Sequence, residues 1–174
     1  MDKNIYSNIP VSNYLTTEVI VAQLNDTVAY VRKLMQRNKI SHCIIINSEN
    51  KISGIISLRD IAKLLTLLGS QFPERLDQII VKNVMKKEVI KTEKETSVKE
   101  ACIIMFKNKI GSVIITENEE LFGIFTKTDA CKVFYDYPLN DVKIEDIMIK
   151  KFAIINIMAS LNKVINKFEE EDIV

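Results

Sequence analysis

The sequence predicts an α/β (α+β) fold: two copies of one β-α-β-β-α unit packed about a pseudo-twofold axis. Three observations carry this. The chain matches itself at a fixed offset. Within each copy the apolar positions pass from short runs to helical spacing in the same order. And 47% of the 174 residues are apolar, enough to bury a sizeable core and too many for a disordered chain.

The repeat shows when the sequence is slid by 70 positions. Val11, Asn13, Glu18, Val19 and Ile20 fall on Val81, Asn83, Glu88, Val89 and Ile90. Val28 falls on Val98, Met35 on Met105, and Asn38-Lys39-Ile40 on Asn108-Lys109-Ile110. One residue is then lost in a turn. At an offset of 69, Gly54, Ile55, Asp60 and Lys63 fall on Gly123, Ile124, Asp129 and Lys132. A repeat of this length marks a duplicated structural unit.

Each copy opens with a short apolar strand, Val19-Ile20-Val21 or Val89-Ile90. A helix follows, its apolar face built by Val28, Val31, Leu34 and Met35, or by Val98, Ala101, Cys102 and Met105. Ser97 with Glu100 reads as a capping box at the second of these. The next strand is Cys43-Ile44-Ile45-Ile46 or Ser112-Val113-Ile114-Ile115, then a polar turn over 47–51 or 117–120, then a strand over 52–57 or 121–126. A last helix closes each unit. Ile61, Leu64, Leu65 and Leu68 end at Gly69; Ala130, Val133 and Phe134 end before Pro138. The domains are thus 1–69 and 81–137, with a connector over 70–80 that contains Pro73.

A third, partial copy follows over 138–174. At an offset of 63, Met85 falls on Met148, Ser97 on Ser160, Val98 on Leu161, Ala101 on Val164 and Ile110 on Ile173. Leu161, Val164, Ile165 and Phe168 make another helical stripe. The segment therefore reads as the opening strand and helix of a third unit. Two readings stand side by side: a piece of a four-unit protein, or a natural orphan that covers an exposed edge.

Composition excludes several function classes. Lys plus Arg number 24 and Asp plus Glu 23, a net charge of +1, so no general field draws nucleic acid or acidic lipid. Lys82, Lys86, Lys87, Lys91 and Lys94 form a local basic stretch, but Glu88, Glu93 and Glu95 interrupt it, as on a solvated face. The acidic run 169–172 reads as a solvated helix end. Cys43, Cys102 and Cys131 lie far apart in apolar surroundings, which predicts buried free thiols and a reducing, cytoplasmic setting. His42 is the only histidine, which rules out a zinc site built on several. No apolar run approaches the ~20 residues of a membrane helix. No nucleophile has a plausible base, and no Gly-Lys-[Ser/Thr] phosphate loop occurs, so no enzyme is predicted.

The chemistry-bearing motif is Gly-hydrophobic-hydrophobic-[Ser/Thr]-x-x-Asp at the last strand-to-helix turn of each copy. It reads Gly54-Ile55-Ile56-Ser57-Leu58-Arg59-Asp60 and Gly123-Ile124-Phe125-Thr126-Lys127-Thr128-Asp129. Ser57 and Thr126 stand where a helix begins, and free N–H groups and the positive helix end there attract phosphate. An ionised Asp one turn in accepts two hydroxyl donors, as a ribose diol offers. Gly54 and Gly123 clear space for another backbone or a ligand. The same Ser/Thr-x-x-Asp pattern is also an N-cap arrangement worth ~1 kcal/mol without any ligand.

With its repeat and unit order, this sequence resembles the CBS (cystathionine beta-synthase) domain pair over most of residues 11–137. The resemblance implies a non-catalytic regulatory module that binds AMP, ADP, ATP or a related adenosine compound as its ligand and requires no cofactor. It implies that Asp129 and Asp60 bind ribose, that Thr126 and Ser57 lie near phosphate, and that the first strand, with Val19 and Val89, lines an apolar adenine slot. Arg59 and Lys127 are the cations nearest the two turns. His42 stands where the family lines its cleft; a phosphate bond and a half-buried structural role are both open. Copy two has Gly111-Ser112 there, and Gly111 would let the backbone approach a base. Binding would shift the pose of the two units and pass to an unknown protein partner. The family's disk-like association implies a homodimer through the final helices, with Leu64, Leu68, Val133 and Phe134 as contacts. Three alternatives are carried: a non-binding dimerisation scaffold, nucleic-acid binding through the face over 82–94, and an enzyme, which no residue pattern here predicts.

Overall fold

The computed structural model describes residues 5–69, 74–139, 142–150 and 152–170, with the backbone alone at 65, 66, 168 and 169. Pro73 and the first part of the connector, Glu171, Asp172 and Ile173 lie outside the described residues, as do the side chains of Leu65, Phe168 and Glu169.

A short helix α1 (Ile5–Asn8) leads to a 3-10 turn (Val11–Asn13). The first unit is β1 (Val21–Gln23), α2 (Val28–Asn38), β2 (His42–Ile46), β3 (Ile52–Ser57) and α3 (Leu58–Leu68). After 3-10 turns at Glu74–Gln78 and Val81–Asn83 come β4 (Lys91–Glu93), α4 (Val98–Lys107), β5 (Ser112–Glu117), β6 (Glu120–Thr126) and α5 (Lys127–Asp136). Then come α6 (Ile144–Ile147) and α7 (Leu161–Glu170).

Each unit holds one three-stranded sheet, ordered β1-β2-β3 and β4-β5-β6. The first pair in each is parallel and the second antiparallel. The β5–β6 hairpin turns on Asn118 and Glu119, both with φ near the left-handed region (51° and 68°), as a tight primed turn requires. The longer β2–β3 turn is organised by Asn47, whose Oδ1 accepts the Glu49 and Lys51 N–H groups at 2.9 Å. Ile46 pairs with Ile52, and Thr116 with Leu121. The one-residue change of repeat offset falls in this turn.

β1 and β4 begin two residues later than the apolar runs suggest. Val19, Ile20, Val89 and Ile90 precede the ladder, since pairing with β2 and β5 starts at Val21 and Lys91. Thr27 and Ser97 cap α2 and α4 by accepting the Tyr30 and Glu100 N–H groups at 3.2 Å. Gly69, at φ 51°, ends the α3 segment as expected.

The two units exchange their leading segments. Residues 9–16, which precede β1, pack on the second unit. Val11 N–H donates to Thr96 O (2.8 Å), Val98 N–H donates to Ile9 O (2.8 Å), and Thr16 bridges Ile124. Residues 79–86, which precede β4, pack on the first. Val81 N–H donates to Asp26 O, Val28 N–H donates to Ile79 O (both 2.8 Å), and Lys86 bridges Ile55. Each lead fills the other unit's core: Ile9 and Val11 join Val98, Ala101 and Phe125, while Val81 and Met85 join Val28, Met35 and Ile56. The α1 segment follows its lead, with Tyr6 edge-on to Phe134 at 5.4 Å. A third small cluster, of Ile44, Ile46 and Ile114 with Val19 and Val89, joins the two sheets.

Four further expectations are corrected. Leu64 and Val133 are buried within their own units, so they present no dimer surface; Phe134 is exposed. Cys131 is exposed and Cys102 half-buried, so of the three thiols only Cys43 is in the core. Fully reciprocal capping bonds form at Ser57–Asp60 and Thr126–Asp129; at Ser97–Glu100 the cap bond is the one from the Glu100 N–H to Ser97 Oγ. In the third partial copy the helix forms as α7, its Ile165 buried and its axis against α3, but among the described residues no strand precedes it. Its counterparts β1 and β4 pair with β2 and β5 of their own units, and among the described residues the third copy has no such second strand.

Candidate functional site: a cleft between two capped helices

Both last strands run straight into their helices, so Ser57 and Thr126 end a strand and cap a helix at once. Ser57 N–H and Oγ–H donate to Asp60 Oδ2 at 2.8 and 2.6 Å, and Asp60 N–H donates to Ser57 Oγ at 3.2 Å. Thr126 N–H and Oγ1–H donate to Asp129 Oδ2 at 2.9 and 2.7 Å, and Asp129 N–H donates to Thr126 Oγ1 at 3.3 Å. The second oxygen of each carboxylate faces a lysine. Lys132 Nζ donates to Asp129 Oδ1 at 2.8 Å, and Lys86 Nζ lies 3.9 Å from Asp60 Oδ1. Asp129 is only 2% exposed.

These turns face one another across a cleft of about 600 Å³ between the units. Of the residues singled out in the sequence, Thr126, Asp129, Ser57, Asp60, Lys127, Arg59, His42, Gly111, Ser112, Val89 and Val19 line it, while Gly54 and Gly123 do not. Its floor is apolar, made by Ile44, Ile114, Val19 and Val89. Its rim is charged.

Much of that rim was missed by sequence reasoning. Lys39 and Lys109, left-handed at φ 53° and 52° just after α2 and α4, turn to the cleft. They stand in the repeated Asn-Lys-Ile motif, which was legible as repeat and not as site. Lys132 was likewise visible only as the repeat mate of Lys63. Lys86 belongs to the basic stretch but comes into the cleft with the exchanged lead, as Thr16 does on the opposite side. The basic stretch is therefore no single face: Lys94 instead pairs with Glu117 and lies 5.3 Å over the Phe122 ring. In all, Lys39, Arg59, Lys86, Lys109, Lys127 and Lys132 meet Glu18, Asp60, Glu88 and Asp129 around the cleft. Cations are in excess.

The glycines of the motif serve the exchange. A Cβ on Gly54 would stand 2.8 Å from Lys86 O, and one on Gly123 would stand 2.7 Å from Thr16 O. What comes close is the partner unit's leading backbone. Gly111 faces the His42 ring instead. His42 Nδ1 lies 3.1 Å from Ser41 Oγ. Burial pushes the ring below the usual imidazole value, and Arg59, Lys86 and Lys127 add to this against the opposing pull of Asp60.

Among the described residues, no group of three or more His, Cys, Asp or Glu side chains could hold a metal ion, and no helix is long and apolar enough to cross a membrane.

Comparison with known proteins agrees with this architecture. The CBS domain model matches residues 11–67 and 81–136. The uncharacterized protein MJ1232 of Methanocaldococcus jannaschii is 34% identical over 129 residues, 72% of this chain and 40% of that protein. The solved CBS domain pair of protein MJ0100, in complex with 5′-methylthioadenosine and S-adenosyl-L-methionine, superposes with a TM-score of 0.64 at 25% identity, over 72% of this chain and 98% of that one. Protein MJ1225 of Methanocaldococcus jannaschii, proposed as an archaeal homolog of g-AMPK, gives 0.64 at 27% identity, over 74% of this chain and 48% of that one. This chain thus spans 40% of the length of MJ1232 and about half that of MJ1225. With a duplicated unit, an exchanged lead and both strand-to-helix turns in place, the chain belongs to the CBS-domain family.

Proposed function

We propose that the cleft binds an adenosine compound, AMP, ADP, ATP or a relative, and that the bound ligand fixes the relative pose of the two units as a signal to a protein partner. The observation that carries this is the cleft itself: an apolar floor between two capped helix starts, with a carboxylate at each and a surplus of cations on the rim. The floor suits an adenine face. Asp60 and Asp129 spend one oxygen on the cap and offer the other to a ribose diol, with Lys86 or Lys132 giving way. The helix starts and six cations suit phosphate. That surplus favours a phosphorylated ligand over the sulfonium cation of S-adenosylmethionine, which the MJ0100 pair holds. A ligand touching both units couples to their pose, since its affinity differs between poses.

The scaffold reading has its own observation: both Ser/Thr-x-x-Asp turns are already satisfied as caps. Thermal unfolding with AMP, ADP, ATP, NAD and S-adenosylmethionine separates the two. A ligand at a hundred times its dissociation constant adds ~2.7 kcal/mol. The sensor reading expects one phosphorylated compound to raise the melting temperature and Asp129→Ala or Asp60→Ala to abolish the rise. If no compound raises it at millimolar concentration, the turns are caps alone.

A further inference from the structure

A groove adjoins the cleft on the first unit's side. Its volume is about 570 Å³, and it is lined by Arg32 and Gln36 of α2, by Lys39 just after that helix, and by Leu58 at the start of α3. Met35 and Ile40 make its apolar side. Lys39, Ile40, Ser41 and Leu58 line cleft and groove alike, so one leads into the other. Arg32 and Gln36 are four residues apart and share one face of α2, with Lys39 three residues further on toward the cleft.

Arg32 is the unanswered group in this groove. The residue is half-buried, its Nε is buried without a hydrogen-bond partner, and among the described residues no carboxylate pairs with its guanidinium. By contrast, Lys86 faces Asp60 and Lys132 faces Asp129. A buried charged donor without an acceptor is costly, and it asks for an anion. The repeat shows that packing does not call for it. Arg32 falls on Cys102, Gln36 on Phe106 and Lys39 on Lys109. The same helix is thus built in copy two with a thiol and a phenyl ring where copy one has a guanidinium and an amide.

The start of α3 is already much used. Ser57 N–H donates to Asp60 Oδ2 (2.8 Å), Leu58 N–H to Ser41 O (3.0 Å) and Asp60 N–H to Ser57 Oγ (3.2 Å). A phosphate next to the ribose can meet the Arg59 side chain there. Phosphates beyond it need cations farther out, and on this side those are Lys39 and then Arg32. We infer that the groove receives the outer phosphates of an adenosine polyphosphate whose ribose is held at Asp60. Lys39 meets the middle of the chain, and Arg32 with Gln36 takes its end by charge-assisted bonds. Arg32 is then a specificity-determining residue that favours a triphosphate over a monophosphate. This rests on the reading of the cleft as an adenosine site and adds the length of the phosphate chain to it.

Calorimetric titration of the whole chain with AMP, ADP and ATP, in buffer free of magnesium, tests this. ATP should bind more tightly than AMP. Arg32→Met should lower ATP affinity about tenfold, as loss of a bond to a charged group does, and leave AMP affinity unchanged. The methionine keeps an apolar stem of similar length, and the guanidinium bonds nothing in the free chain, so thermal unfolding without ligand should not fall. Arg32→Lys should restore part of the ATP affinity. Arg37→Met removes the same charge at an exposed site on α2 outside both cavities, and should leave ATP binding as it is. Tripolyphosphate alone should compete with ATP and not with AMP. If AMP binds and ATP binds no better, the inference is overturned while the adenosine reading stands. The same holds if the advantage of ATP survives Arg32→Met or is lost equally in Arg37→Met. Tripolyphosphate that binds alongside ATP would make the groove a separate anion site and overturn it as well. If no adenosine compound binds, the cleft reading and this inference fall together.

Discussion

His42 of the first unit lies against Gly111 of the second: a Cβ on Gly111 would stand 3.3 Å from His42 Cε1. The single histidine and a missing side chain thus meet across the cleft between the units. Gly111→Val would press the two units apart at this point and cost about 1–3 kcal/mol, as overpacking does. In a His42→Ala background the same change should be nearly free. A double-mutant cycle by chemical denaturation reads the coupling, and additive effects would mean that the units do not touch here.

The same ring sets a pH dependence. Burial first, with Arg59, Lys86 and Lys127 beside it, holds its pKa below 6.5, while Asp60 pulls the other way. Below 6.5 the unfolded chain takes up the proton before the folded one does. The His42 contribution is therefore fully present above 6.5 and is lost as pH falls toward the folded value. His42→Gln should flatten the stability profile between pH 7 and the acid limb. An unchanged profile would remove His42 as its source.

The motif glycines carry a larger penalty. Gly54→Ala and Gly123→Ala set a methyl 2.8 and 2.7 Å from the backbone oxygens of Lys86 and Thr16, where only a backbone shift gives relief. Each should cost more than about 2 kcal/mol and loosen the lead, not the helix cap. Hydrogen exchange should report it at the Ile55–Lys86 or Thr16–Ile124 bridge. Protection lost instead at α3 or α5 would place the damage in the turn.

Which parts of this were legible follows from what a repeat encodes. The unit order, the turn that drops one residue and the two Ser/Thr-x-x-Asp turns are local, and each could be read from residues close in the chain. The exchange is not local. Val11 and Val81 are equivalent in sequence, and nothing in either says whether it fills its own unit's core or the other's. The lysines that enter with the exchange or sit after a helix were invisible for the same reason: Lys86 reads as part of a charged run until its lead is placed. Leu64 and Val133 look like outer-face contacts because helical spacing gives a stripe, not the identity of what covers it.

The thiols divide sharply. Cys43 is in the core, and burial pushes its pKa up to about 12; burial also raises that of Cys102, which is half-buried, while Cys131 is exposed. A disulfide reagent at neutral pH should therefore modify Cys131 first and Cys102 slowly, with Cys43 reacting only as the chain unfolds. Mass spectrometry of partly labelled chains gives the order. Early label on Cys43 would show the first unit opening far more readily than its core implies.

Cap and ligand roles of the two aspartates separate by measuring the free chain first. Asp129 is almost fully buried, accepts from the Thr126 N–H and hydroxyl, and takes Lys132 on its other oxygen. Asp60 makes the same cap, but its side chain is 12% exposed and its lysine, Lys86, stands farther off at 3.9 Å. Removing either carboxylate leaves a backbone N–H without its acceptor, and the more buried one has less water to turn to. Asp129→Ala should thus lower stability by about 1–3 kcal/mol without ligand, and Asp60→Ala by less, nearer the ~1 kcal/mol of an ordinary cap. Ligand binding must then be read as the rise each variant shows over its own free state. Equal losses in the free chain would mean that the copy-two turn is no more tightly built than copy one. A rise in Asp60→Ala with none in Asp129→Ala would assign the ligand to the copy-two half of the cleft, and the reverse would assign it to the half nearest His42.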